Sequence, residues 1–309
     1  MTSRAEGTGV RRPSTSPARL PFADWRTSFA SSFKGFLADD CMGLAQQIAY
    51  SSLLAFFPAI IFLVGLLGLI DAYDTLREFL APIAPGDVLK TIDTLQRDST
   101  GAAASVAFVA GAAGAVWAAS GAMNTVIKAV NRAYELEETR PFWKTRLTAL
   151  FLVALTGLVL AGLMLLIVFG GPLGAAIAES AGLGGAFELV WSILRWPLAF
   201  VAILLFFALV YYLAPNRSQR EWKWVSPGSL VGGVGWLALS GLFALYTSFS
   251  DSYSRTYGAL ASGIVLLLWL NYSAFALLFG AELNSELERR AEVRTGNDPK
   301  KPSRRPDEP

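Results

Sequence analysis

The chain of 309 residues contains no His and a single Cys, Cys41. That removes Ser-His-Asp and Cys-His catalytic pairs, zinc sites built on imidazole or paired thiolates, and any internal disulfide. The carboxylates that remain are poorly grouped for chemistry. Hydrolysis of a phosphodiester without His draws on acidic side chains that gather two divalent metals about 3.5–4 Å apart. Here Glu135, Glu137 and Glu138 share one short connection (124–146) with five Lys and Arg residues, and no carboxylate pair falls inside an apolar run. No aromatic-studded basic domain offers a surface for RNA, and no phosphate-binding Gly-rich loop ending in Lys-Ser or Lys-Thr occurs. The expectation is therefore a protein that is not an enzyme, with no metal, no cofactor and no nucleic-acid partner.

The residues left to consider are polar groups within or beside long apolar runs, where they are costly and mark function or packing. Gln46, Gln47, Ser51 and Ser52 precede Pro58 in the first run. Pro58 removes one backbone donor, so it marks either a kink that fits the bundle or a hinge. Asn271 is the strongly polar side chain near the middle of the last run, suited to a helix–helix hydrogen bond worth about 0.6 kcal/mol. Asp251 and Arg255 can pair in the connection before it. A third group, Asn124, Asn131, Arg132, Glu138, Arg140, Arg146 and Glu282, lies near run ends and reads as one polar cluster, structural by default. The absence of a carboxylate within a run argues against proton coupling.

The elements that must position these residues follow from composition. Hydrophobic residues make up 53% and charged residues 16%, against about 25% charged in an average soluble protein, and the mean hydropathy is +0.45. A bilayer core of about 30 Å needs roughly 20 apolar residues in a helix. Six stretches qualify: 44–70, 102–123, 147–169, 196–213, 225–249 and 259–279. None shows the polar face at helical period that a buried helix of a soluble protein would need. The fold class is an all-α, polytopic membrane protein built as a six-helix bundle.

Basic residues set the orientation. The connections and tails on one side carry 21 Lys and Arg residues and those on the other carry four. Both termini are therefore expected in the cytoplasm, N-in and C-in. Residues 1–20 are basic and polar with no apolar core, unlike a signal peptide, and 294–309 is a basic, Pro-rich tail; both are expected to be disordered. In 21–43, Phe22, Trp25, Phe29, Phe33, Phe36 and Leu37 recur at steps of three and four opposite Arg26, Ser28, Ser31, Ser32 and Lys34. That pattern predicts an amphipathic helix on the inner headgroup layer. Short helices are predicted over 75–83 and 87–96, a short interfacial helix over 186–194, and a charged cytoplasmic helix over 281–293 with Glu286 and Arg290 one turn apart.

The second stretch places Ala103, Ala107, Gly111, Gly114, Ala118 and Gly121 on one narrow face, opposite Val106, Val109, Val116 and Met123. Small residues let backbones approach closely in lipid. The plain reading is a central helix with close neighbours; the sharper one is a helix lining a groove. Gly228 and Gly232 form a GxxxG match that leaves a homo-oligomer open.

Four segments resemble the YihY/BrkB family of bacterial inner-membrane proteins. They are LAQQIAY (44–50) with Leu53, Phe57 and Pro58; NRAY (131–134) with Glu138, RPFW (140–143) and Arg146; YLAPN (212–216); and Tyr253, Tyr257, Gly258, LLW (267–269) with GAELN (280–284). The likeness runs from about residue 35 to 290. It implies a six-helix protein of the bacterial cell membrane. Members have carried ribonuclease and virulence labels, and envelope-lipid transport has been suggested within the family; the resemblance implies no catalytic residue. Transport of a lipid or another amphipathic or ionic solute is the leading expectation, with membrane lipids as partners. The alternative is a non-transporting scaffold or envelope-assembly factor.

Overall fold

The computed structural model describes residues 22–80, 86–98, 101–167, 170–182, 184–217, 226–248 and 259–294. All regular structure among them is helical. In chain order the helices are α1 (Phe22–Ala38), α2 (Cys41–Leu69), α3 (Tyr73–Leu80), α4 (Gly86–Asp98), α5 (Ala102–Ala133), α6 (Phe142–Ile167), α7 (Gly170–Ala181), α8 (Gly184–Leu213), α9 (Pro227–Ser248) and α10 (Ala259–Arg294). Six of these, α2, α5, α6, α8, α9 and α10, are long and apolar enough to cross a membrane. At 1.5 Å per residue, α2 alone reaches about 43 Å, more than a hydrocarbon core requires.

The long helices share two poles. At one, the start of α2 meets α10, the end of α5 meets the end of α8, and the start of α9 meets α10. This pole, with its Arg and Lys side chains, is the basic pole. At the far pole α3 and α4 connect α2 to α5. They are clasped by Arg77 on Asp93 (2.8 Å) and by Gln96 on Asp74 (3.2 Å), and Tyr73 donates its hydroxyl to the Val64 carbonyl at 2.8 Å.

Helix boundaries depart from the sequence reading where apolarity and helicity part company. α5 runs ten residues past the expected end at 123, and α10 carries the last apolar run and the charged segment 281–293 as one helix. Bilayer thickness limits the apolar run but not the helix, whose backbone hydrogen bonds run on past it, in α10 even through Gly280. α8 likewise runs unbroken from Gly184 through Pro197, so the expected separate helix at 186–194 is its first turns. The Gly-rich stretch before it forms α7, which was not anticipated; the Trp191 indole donates to the Gly170 carbonyl at 2.5 Å and pins α7 against α8.

The small face of α5 is closed by α2 rather than lining a groove. A Cβ on Gly111 would lie 2.6 Å from the Phe62 Cα, and one on Gly65 would lie 2.6 Å from the Phe108 Cα. The Pro58 ring packs towards Gly114, and the Ser51 and Thr125 hydroxyls meet at 3.4 Å. Nor is α5 central: Val106, Val109 and Trp117 on its other side are 68%, 66% and 71% exposed. Close backbone approach needs one glycine face and one neighbour, and α2 supplies that neighbour.

α1 packs on the bundle by its serine side. Ser28 and Ser32 are fully buried against α10, while Phe29, Phe33 and Leu37 are exposed. The Ser32 hydroxyl returns to the Ser28 carbonyl at 2.8 Å, which satisfies it inside the contact. Serine is small enough to let the helices close, and Phe36 completes the contact edge-on to Phe275 with ring centres 5.9 Å apart.

Candidate functional site

Two regions combine polar groups or space with enclosure. The first is the lock at the basic pole. α5 ends at Ala133, which presents Asn131 inward and leaves it 3% exposed. Its Nδ2 donates to Glu138 Oε2 at 2.9 Å, and its Oδ1 accepts from the Asn216 backbone N at 2.8 Å. Arg140 reaches Glu138 through Nε (2.8 Å) and Nη2 (2.5 Å), and the same Nη2 donates to the Ala214 carbonyl at 2.8 Å. Asn216 answers by donating to the Glu137 carbonyl at 2.7 Å and to Thr139 Oγ1 at 2.8 Å. The hydrogen bonds from Arg140 hold the Glu138 carboxyl below the usual carboxylate range.

The lock continues into α9 and α10. Asn284 accepts from the Gly228 backbone N and donates to Ser226 Oγ, both at 2.8 Å. Tyr134, whose ionisation burial pushes to higher pH, carries the Arg217 guanidinium 4.2 Å above its ring, and Arg217 pairs with Glu288 at 2.7 Å. Tyr211 donates to the Leu277 carbonyl at 2.8 Å. Four helices are thus joined at this pole through three amides, two tyrosines and two ion pairs.

The expected single polar cluster is therefore divided. Asn131, Glu138 and Arg140 come together, but Arg132 pairs with Asp39 at 3.2 Å and Arg146 donates to the Trp117 carbonyl at 3.1 Å. Adjacent residues on a helix point about 100° apart, so Asn131 and Arg132 cannot serve one centre. Glu282 stands apart from both, 5% exposed, accepting from the fully buried Cys41 thiol at 3.4 Å. It lies past the apolar part of α10, where burial and then the charges of Asp39, Glu135 and Glu286 push its carboxyl up to about 7. Asn124 is half-buried on α5.

The second region is an apolar cavity of about 240 Å³. α6 packs on α5 and α8, whereas α10 packs on α2 and α9, and the cavity occupies the space between these groups. Leu160 and Leu163 of α6, Phe206 and Phe207 of α8, Trp236 of α9 and Leu270 of α10 form its walls, with Ser52, Thr156 and Ser273 as its polar points. Two of those hydroxyls are engaged: Thr156 donates to the Leu152 carbonyl at 2.7 Å, and Ser273 accepts from the Trp236 indole at 2.9 Å. Leu160 is 56% exposed, so the cavity reaches the bundle surface. Asn271 is half-buried on α10, next in sequence to the lining Leu270. Gln46 and Gln47 are exposed on α2 and enter neither region. Asp251 and Arg255 lie outside the described residues.

Sequence reasoning placed Asn216 and Asn284 in family-like motifs without their partners, and missed Tyr211 and the Cys41–Glu282 contact. Each acts on a partner far away in the chain, and a single sequence carries no signal for such pairings beyond the i, i+4 spacing of Gly280 and Asn284. Among the described residues no three His, Cys, Asp or Glu side chains gather around a common metal position.

Six long apolar helices, joined by a polar lock at one pole, define a polytopic membrane protein. Residues 32–305 match the family described as Virulence factor BrkB, and the chain belongs to it. It is 29% identical over 266 residues to the "Putative ribonuclease-like protein YfkH" of Bacillus subtilis, covering 84% of this chain and 95% of that one. It is also 29% identical to a UPF0761 membrane protein of Halorhodospira halophila, covering 84% of this chain but 56% of that longer protein. A UPF0761 membrane protein of Aggregatibacter aphrophilus is 26% identical over 88% of this chain and 95% of its own. No solved structure matches the chain.

Proposed function

We propose that the protein is a transporter or flippase-like carrier for a lipid or a similar amphipathic solute, residing in the bacterial cell membrane with both termini and the basic pole in the cytoplasm. The observation that carries this reading is the apolar cavity at Leu160, Phe206, Trp236 and Leu270. It lies within the apolar helices and reaches their lipid-facing surface, so an acyl chain enters it without crossing water. At ~30 Å³ for a water-sized unit, it has room for about eight such units, a segment of one chain. The lock at the basic pole holds the helix ends while the middle of the bundle stays loosely packed. α1, with Phe29, Phe33 and Leu37 outward, lies along the inner headgroup layer.

The ribonuclease-like name belongs to the Bacillus relative; in this chain the acidic groups Glu138, Glu286 and Glu288 are engaged by Arg140, by Arg289 and Arg290, and by Arg217. A scaffold role is favoured by one observation, the backbone-tight α2–α5 pair, which leaves no room for helix sliding there.

The test is movement of fluorescent zwitterionic, anionic and single-chain phospholipids across proteoliposomes. Movement above empty vesicles is expected, and Ala274→Phe, which fills the cavity, should lower it at normal protein abundance. Equal rates with and without protein for every lipid would overturn the transport reading. Intact flux in Ala274→Phe would move the path elsewhere.

A further inference from the structure

Glu282 is a buried carboxylate with no cation assigned to it among the described residues. The side chain is 5% exposed and sits where three elements meet: Gly35 near the end of α1, Cys41 at the start of α2, and its own helix α10. The Cys41 S–H donates to Oε1 at 3.4 Å. Oε2 points at α1, so close that a Cβ on Gly35 would lie 2.8 Å from it. The charged groups around the corner are acidic or already engaged. Asp39 and Asp40 form the α1–α2 corner, Glu135 follows α5, and Glu286 is one turn along α10. Arg132 is drawn to Asp39 at 3.2 Å, while Arg289 and Arg290 each hold Glu286 at 2.6 Å.

An ionised carboxylate buried without a cation is expensive, and such a group keeps its proton instead. A thiol is a weak donor and does not replace a cation. We propose that Glu282 is a proton-binding site that fastens the α1–α2 corner onto α10, neutral while the corner is docked and ionised when it opens. The proton resides on Oε2, facing Gly35, because Oε1 accepts from the thiol. On ionisation Oε2 loses that proton to solvent, and the charge draws water between α1 and α10. Whether this proton also drives transport rests on the function proposed above; proton binding itself does not.

The single thiol makes the corner readable in the full chain in detergent or nanodiscs. The Cys41 thiolate adds to the maleimide double bond, so a free thiol reacts about tenfold faster per pH unit below its own pKa. If opening also requires loss of the Glu282 proton, the wild-type rate should climb about a hundredfold per unit below pH about 7. Glu282→Gln, which stays neutral, should keep only the tenfold slope. Equal slopes in the two proteins would overturn the proposal. An infrared pH titration of the wild type covers the case in which the variant fails to fold. A carboxylic-acid C=O band should persist at pH values where exposed glutamates are ionised, and should vanish with a midpoint near 7. No such band would overturn the proposal equally. Neither readout needs flux, so an inert liposome assay beside intact proton signals would sink the transport reading alone.

Discussion

The Asn284 side chain caps the start of α9 at Gly228 from a position 56 residues further along the chain. Its Oδ1 takes the Gly228 N–H at 2.8 Å, one of the four donors that the first turn of any helix leaves without an internal partner. The same amide donates to Ser226, which caps Ser229 in turn. Gly228 is there because nothing larger fits: an added Cβ would lie 2.7 Å from Asn284 Nδ2 and would run into the Gly280 carbonyl oxygen.

Asn284→Leu should therefore destabilise the protein by about 2–4 kcal/mol, from two lost hydrogen bonds and an uncapped buried donor. Gly228→Ala should be at least as damaging although it adds one methyl group. Thermal unfolding in detergent, followed by Trp fluorescence, checks both; a Gly228→Ala protein that melts with the wild type would refute this account of the α9–α10 contact.

The glycines of the small-residue face give a paired comparison. Gly111→Ala drives a methyl group into the Phe62 backbone, where neither helix has a side chain to move aside, and should cost about 1–3 kcal/mol. Gly121, on the same face, has nothing within 4 Å of its Cβ position, so Gly121→Ala should be neutral or slightly stabilising. Yields and melting temperatures of the two variants should differ clearly; matching behaviour would mean that α2 and α5 do not meet at Gly111.

This contrast shows what the sequence makes legible. Six spans can be read because a bilayer demands about 20 apolar residues each time, and the small face of α5 can be read from helical period. Which partner closes that face cannot, because Phe62 and Pro58 carry no mark of it. The same limit applies at the basic pole. Asn131, Glu138 and Arg140 stand close enough in the chain to be grouped by eye, whereas Asn216, Asn284 and Cys41 join only through the fold. Ser28 and Ser32 mislead for another reason: a small side chain serves close packing as well as it meets water, and the Ser32 hydroxyl finds its acceptor within its own helix.

The Asn131–Glu138–Arg140 triad sets an acid limit on stability. Arg140 holds the Glu138 carboxyl below its ordinary value, so the folded state favours the ionised form. The resulting stabilisation is complete above the unfolded glutamate value of about 4.3. It fades as pH falls through the lower folded value, because the unfolded chain takes up the proton first. Glu138→Gln should lower the melting temperature at pH 7 and lose less than the wild type on acidification to about pH 3, well below the unfolded glutamate value. A parallel fall in both proteins would remove Glu138 from the acid response.

Orientation offers a prediction that the pole assignment makes sharp. Cys41 is fully buried, so in the docked state it contributes little labelling and serves as the background for single introduced thiols. Trp143, at the start of α6 and 58% exposed, marks the basic pole. Thr94, exposed on α4, marks the far pole. The excess of basic residues at one pole disfavours its translocation, so Trp143→Cys should react with an impermeant maleimide in inverted vesicles and resist it in intact spheroplasts. Thr94→Cys should do the reverse. Reaction of Trp143→Cys from outside would invert the protein and would place the Glu282 corner at the outer face, exchanging the compartment that supplies its proton. Labelling of both positions from one side would contradict an odd number of crossings between them, which α5 provides by joining α4 to α6.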